Sequence, residues 1–147
     1  IGIGVFGEVW RGFNKRTKKR LAVKVINLKS KVKPKVLKRL VKIERDLMTQ
    51  ISHPFICKCL YSFKSQRRFY LFMEYCPYKD LGFISRVVLR GFGPRVVRFY
   101  LAEIVLASGH LHSNNIIHRD IKTENVLMDR TGHTKLSGNS FGFRLSI

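Results

Sequence analysis

Acidic residues are scarce in this chain: nine against 29 lysines and arginines in 147 residues, a net charge of +20. About half of the basic residues precede residue 43, where Glu8 is the only acid. Such a field attracts polyanions, which brings nucleic acid, acidic lipid and acidic peptides into consideration. No zinc-finger or RNA-binding signature and no interleaved aromatics accompany the charge, which disfavours nucleic acid. A solvated basic face, matched to an acidic protein partner, is the simpler reading. Cysteine is also sparse. The three thiols, Cys57, Cys59 and Cys76, form an odd set with no disulfide framework. That suits a reducing compartment, hence an intracellular, cytoplasmic location with the nucleus as the alternative. Cys57-x-Cys59 lies in an alternating segment, which points both thiols to one face of a strand. Zinc would need a second pair, and His53 alone does not complete a site, so buried thiols are expected. Long apolar runs are missing too: none approaches the ~18 residues of a spanning helix, and no secretory signal is visible.

Against these gaps stands one dense stretch, Ile116–Leu127, reading I-I-H-R-D-I-K-T-E-N-V-L. The apolar pairs Ile116/Ile117 and Val126/Leu127 read as short strands pinning the two ends of a loop. Between them lie an acid (Asp120), a base two residues on (Lys122) and an amide five residues on (Asn125). Those side-chain types suit phosphoryl transfer: a carboxylate accepts a hydroxyl proton, an ammonium neutralises phosphate, and an amide oxygen can hold Mg²⁺.

The stretch resembles the catalytic loop of eukaryotic protein kinases, H-R-D-x-K-x-x-N, with His118, Arg119, Asp120, Lys122 and Asn125 on the motif position by position. Lys122 is similar to the Ser/Thr type. The phrase F-Y-L-A-E-I-V-L at 99–106, followed by Leu111-His112-Ser113, resembles a helix of kinases related to the cyclic-nucleotide-dependent group. The resemblance implies an α+β, protein-kinase-like fold. It would comprise an antiparallel five-stranded N-lobe sheet with helix C over about 1–75, a hinge at 76–80 and an incomplete, mainly helical C-lobe over 81–147. It also implies a longer domain than 147 residues, so the chain, which starts at Ile1 without a Met, reads as a fragment.

Residues 1–9, I-G-I-G-V-F-G-E-V, place Gly2, Gly4 and Gly7 in a G-x-G-x-x-G pattern, which dinucleotide-binding folds share. The next residues discriminate. Val9-Trp10-Arg11-Gly12 continues a strand instead of entering a helix, and a second strand spans Leu21–Ile26. A glycine hairpin lets backbone N–H groups close over phosphates, capped by Phe6. Alternation puts Ala22 and Lys24 on one face, with Lys24 directed beneath the glycines. After Lys33-Pro34 the apolar spacing of Leu37, Leu40, Val41, Leu47, Met48 and Ile51 predicts a helix with Glu44 in its inward stripe. An inward carboxylate needs a counter-charge, and Lys24 is the candidate; the resemblance makes this the Lys–Glu pair of an active kinase. His53-Pro54 ends that helix. Strands at about Cys57–Ser62 and Arg68–Glu74 come next. Pro94 opens a long helix to about Ser113, with Val97, Leu101, Ile104, Val105 and Leu111 on one side.

By resemblance, Met73 guards the adenine pocket, Glu74 and Cys76 offer backbone groups to the purine, and Asp80 meets the ribose. Val9, Ala22 and Leu127 complete the nucleotide-binding set. Asp120 is implied as base, Lys122 as charge stabiliser, and Asn125 as the Mg²⁺ ligand. The family then expects D-F-G, whose Asp is a second Mg²⁺ ligand, yet Ser140 precedes Phe141-Gly142 here. A neutral oxygen is a poor substitute for a carboxylate in that role. The expected activity is transfer of the ATP γ-phosphate to a protein Ser/Thr hydroxyl, with ATP and Mg²⁺ as cofactors and a protein substrate as partner. Two alternatives stand beside it: a catalytically dead relic that acts by binding, and a basic polyanion-binding protein.

Overall fold

A computed structural model describes residues 2–4, 7–27, 51–88 and 91–137. The chain divides into two compact units. The first takes residues 1–51 and 58–75; the second takes 52–57 and 76–147. The fold class is α+β.

The first unit is an antiparallel sheet of β1 (Gly2–Gly4), β2 (Gly7–Asn14), β3 (Lys19–Asn27), β4 (Cys59–Lys64) and β5 (Arg68–Glu74), in the order β1-β2-β3-β5-β4. Its turns use local side-chain acceptors. Asn14 Oδ1 accepts the N–H groups of Arg16 and Thr17, both at 3.0 Å, and closes the β2–β3 turn. Ser65 and Arg68 bond reciprocally between β4 and β5. The period-2 pattern then sorts the faces. Lys24, Ile26, Phe69 and Leu71 are buried on one side, whereas Trp10, Tyr61 and Phe63 are exposed on the other. On that outer side the Tyr61 and Phe72 rings stack at 4.4 Å. Gly12 is required there: a Cβ would stand 2.9 Å from Val23 Cγ2.

The second unit holds helices α1 (Leu81–Val87) and α2 (Pro94–Ser113), a 3₁₀ turn at Thr123–Asn125, and a small hairpin of β6 (Val126–Met128) with β7 (Thr134–Leu136). Asp80 caps α1 by accepting the Phe83 N–H at 2.8 Å, and Pro94 starts α2. The segment 52–57 belongs here by its hydrogen bonds. The Leu136 N–H donates to the Phe55 carbonyl at 2.8 Å, and the Cys57 N–H donates to the Leu136 carbonyl at 2.9 Å.

Three expectations need correction. The buried face of α2 carries Glu103, Ala107 and Leu111, while Val97, Leu101 and Val105 are exposed. After the helix end Ile116 makes a single β-bridge and Ile117 is irregular, so the pair does not extend into a strand, although Val126 and Leu127 do. Cys57 and Cys59 are both buried, but Cys57 precedes β4 and belongs to the other unit. The helix expected to carry Glu44 lies outside the described residues, as do Phe6 and Ser140.

Candidate active site

In the first unit the glycine hairpin pairs Gly4 with Gly7 and Gly2 with Val9. The register continues from Val9 to Lys24 and from Lys24 to Leu71, while Ala22 lies opposite Met73. Residues directly opposite across an antiparallel ladder share a face, so Val9, Ala22, Lys24 and Met73 form one set of neighbours. Lys24 is 4% exposed. An ammonium this buried needs compensating polar contacts. Glu74 points to the other face, where its carboxylate accepts the Lys58 N–H at 2.9 Å. Its own N–H donates to the Lys58 carbonyl at 3.0 Å, which removes that N–H from the groups a purine could use.

In the second unit the loop after α2 is built from its main chain outward. Helix α2 closes with the Ile116 N–H on the Leu111 carbonyl, and Asn115 takes a left-handed φ of 60°. Arg119 is left-handed as well, at φ 66°, a conformation costing a non-glycine residue on the order of 1 kcal/mol or more. His118, 2% exposed, holds this turn from inside. Its Nδ1 accepts the Asp120 N–H at 3.3 Å and its Nε2 lies 3.1 Å from the Ser137 carbonyl. One ring nitrogen accepts and the other donates, so the pair of contacts specifies the neutral Nε2–H tautomer. Burial lowers the His118 pKa, with the Ser137 carbonyl and Asp120 acting against it.

Asp120, Lys122 and Asn125 converge. Lys122 Nζ lies 3.0 Å from Asp120 Oδ2. Asn125 Nδ2 donates to the Asp120 carbonyl at 2.7 Å and to Asp120 Oδ2 at 2.8 Å. The Lys122 hydrogen bond first, then that of Asn125, lowers the Asp120 pKa and keeps the carboxylate ionised at neutral pH. The 3₁₀ turn sets the spacing, since the Asn125 N–H donates to the Lys122 carbonyl. The Asn125 carbonyl in turn accepts from the Ser137 N–H at 2.7 Å and the Ser137 hydroxyl at 3.2 Å. Asp80 and Leu127 form an isolated antiparallel bridge, and the Met128 N–H donates to the Lys79 carbonyl. Cys76 is a half-buried free thiol at the start of this unit's second segment.

The donor set for Mg²⁺ is thin. With its nitrogen committed to Asp120, Asn125 can turn its amide oxygen toward a cation, but that is one neutral ligand. No group of three His, Cys, Asp or Glu side chains that could hold a metal occurs among the described residues. The described residues alone therefore do not fit a complete Mg²⁺ site. Among the described residues no helix is long and apolar enough to cross a membrane.

One residue of this unit does not stand out in the sequence pattern. Glu103, on the buried face of α2, is 4% exposed and accepts the Thr134 N–H and hydroxyl, each at 2.7 Å, and His133 Nδ1. A signal for it exists: the reasoning that singles out Glu44, a carboxylate among apolar helical neighbours, applies equally to F-Y-L-A-E-I-V-L.

Comparison with known proteins identifies the family. The protein kinase domain family matches residues 1–144. Serine/threonine-protein kinase AtPK2/AtPK19 of Arabidopsis thaliana is 41% identical over 138 residues, covering 93% of this chain and 29% of that protein. The 3-phosphoinositide-dependent protein kinase B of Dictyostelium discoideum is 38% identical over 148 residues, 100% of this chain and 16% of that one. The human cAMP-dependent protein kinase catalytic subunit PRKX is 37% identical over 144 residues, 97% of this chain and 39% of that protein. The chain therefore spans well under half the length of each of these relatives.

Proposed function

The chain belongs to the protein kinase domain family, with relatives of the serine/threonine type, and from that premise we propose that it binds ATP and transfers the γ-phosphoryl group to a protein Ser or Thr hydroxyl. The observation that carries the proposal is the carboxylate of Asp120, held ionised between Lys122 and Asn125. In the proposed step the substrate hydroxyl oxygen forms a bond to the γ-phosphorus while the bond to the β–γ bridging oxygen breaks and ADP departs. The hydroxyl proton passes to Asp120. A carboxylate with a lowered pKa is a weak base, so its larger contribution is to orient the hydroxyl and to take the proton late in the transfer. Lys122 is assigned to offset charge on the transferring group, and Lys24 to the α/β-phosphates. Glu44, lying outside the described residues, is assigned as the partner of Lys24. When bound, Mg²⁺ would supply charge neutralisation between the phosphates.

A specific observation favours a second reading: Ser140 stands directly before Phe141-Gly142, where the family's second Mg²⁺ ligand is expected. On that reading the chain binds nucleotide or protein without turnover. One assay separates the two, γ-phosphoryl transfer from labelled ATP to a generic peptide with Mg²⁺ or Mn²⁺. Transfer by the parent chain and its loss in Asp120→Asn support catalysis. Nucleotide binding without transfer, or transfer indifferent to Asp120→Asn, rejects it.

A further inference from the structure

Glu103 lies remote in sequence from the Asp120 loop, yet its hydrogen bonds lead there. Both Thr134 donors reach the same carboxylate oxygen, Oε2, at 2.7 Å, and the other oxygen meets His133. Thr134 is 1% exposed and opens β7. Three residues of strand, on the order of 10 Å, carry that anchor to the strand's far end. There Leu136 pairs with Val126 and bonds to Phe55 and Cys57, so the strand is held on both edges. The next residue, Ser137, is a node: it donates twice to the Asn125 carbonyl, and its own carbonyl meets His118 Nε2. His118 in turn accepts from the Asp120 backbone, and Asn125 donates to both the Asp120 carbonyl and, beside Lys122, its carboxylate. A buried carboxylate is retained against its desolvation cost only where donors meet it, and His133 and Thr134 bring those donors from the start of β7.

We infer that Glu103 is a positioning residue: it fixes β7 along its length and so sets where Ser137 holds Asn125 and His118 against Asp120. The inference rests on the kinase reading only in giving that pair a purpose; the mechanical coupling stands by itself. A glutamine at 103 can keep both Thr134 bonds through its oxygen and turn its NH₂ to an unprotonated His133 Nδ1. Aspartate, one methylene shorter, cannot reach, and alanine offers nothing.

Amide hydrogen exchange of the intact chain, followed by NMR without nucleotide, tests this. In Glu103→Ala the Ser137 and Asn125 N–H groups exchange about tenfold faster or more, because local opening frees them, while the Ile116 N–H at the end of α2 keeps its rate. Glu103→Gln restores both to within about threefold of the parent, and Glu103→Asp does not. If Ser137 and Asn125 are unmoved while Thr134 alone accelerates, or if every amide of this unit accelerates together, Glu103 is merely structural and the inference fails. Failure of glutamine to rescue rejects it as well. Should the alanine variant not fold, the glutamine–aspartate comparison decides. A chain that exchanges as described but transfers no phosphoryl group would overturn the proposed function and leave this coupling intact.

Discussion

Two leucines on helix α2 should respond very differently to truncation. Leu111 is 0% exposed, whereas Leu101, ten residues earlier, is 53% exposed. Replacing Leu111 by Ala removes a fully buried side chain, so the lost transfer free energy adds to the cost of an incompletely collapsing cavity, about 2–5 kcal/mol in all. Leu101→Ala removes atoms already largely in water and improves helix propensity slightly, so its effect should stay within about 0.5 kcal/mol. The local probe is the Ile116 N–H, which donates to the Leu111 carbonyl at 2.9 Å. Its exchange in native conditions reports opening of this helix end without assuming that both units unfold together. Urea unfolding followed by circular dichroism supplies the global comparison. Equal costs for the two variants, or a larger cost for Leu101→Ala, would restore the face expected from apolar spacing and refute burial through Ala107 and Leu111. Ala107→Leu, at a position 0% exposed, should overpack the same seam by about 1–3 kcal/mol.

Proton linkage gives His133 and His118, two of the histidines of this unit, opposite signs. The Glu103 carboxylate first, then Asp129, raises the His133 pKa against burial and Lys135, so its stabilisation is complete below the unfolded histidine value and lost as pH rises through the folded one. His118, lowered by burial, stabilises above the unfolded value and loses that contribution as pH falls through its folded value. Stability measured across neutral pH, with ring NMR titrations to assign each histidine, should show both slopes, and His133→Gln should remove only the first. Gly82→Ala would place a Cβ 2.9 Å from Thr123 Oγ1 and 3.1 Å from the capping Asp80 Oδ1, which should cost about 1–3 kcal/mol, read by thermal unfolding. Asn125→Asp replaces the donor facing Asp120 with a second carboxylate; the loop should loosen at neutral pH and recover on acidification, as Ser137 exchange would show.

Local chemistry made much of this architecture legible. Gly2, Gly4 and Gly7 announced a hairpin and Pro94 the start of α2, because each acts within a few residues of itself. The helix end at Ser113 and the convergence of Asp120, Lys122 and Asn125 were equally readable from spacing. The buried face of α2 was not. Spacing grouped Val97, Leu101 and Val105 with Leu111, of which only Leu111 is buried, and periodicity cannot say that the contact runs instead through Glu103 and Ala107. The deciding partner, Thr134, lies 31 residues away from Glu103. Ile116 and Ile117 looked like a strand by composition, but a strand needs a ladder as well as β-branched side chains, and the pairing stops at a single bridge residue, Ile116. Cys57 and Cys59 alternate as strand neighbours should; what separates them is a long-range bond from Cys57 to Leu136.

That bond belongs to a short excursion of the chain. Residues 52–57 leave the sheet unit, lend Phe55, Ile56 and Cys57 to the flank of Leu136, and return at residue 58. The covalent order and the spatial partition therefore disagree. Scission after Tyr75 yields a leading peptide with six residues stranded from their company. The trailing peptide keeps the Asp120 loop but forfeits the lining strip along Leu136, leaving a main-chain donor and a main-chain acceptor bare. Anyone excising the loop-bearing half for separate production must graft those six residues back on, as a fused leader or a peptide supplied in trans.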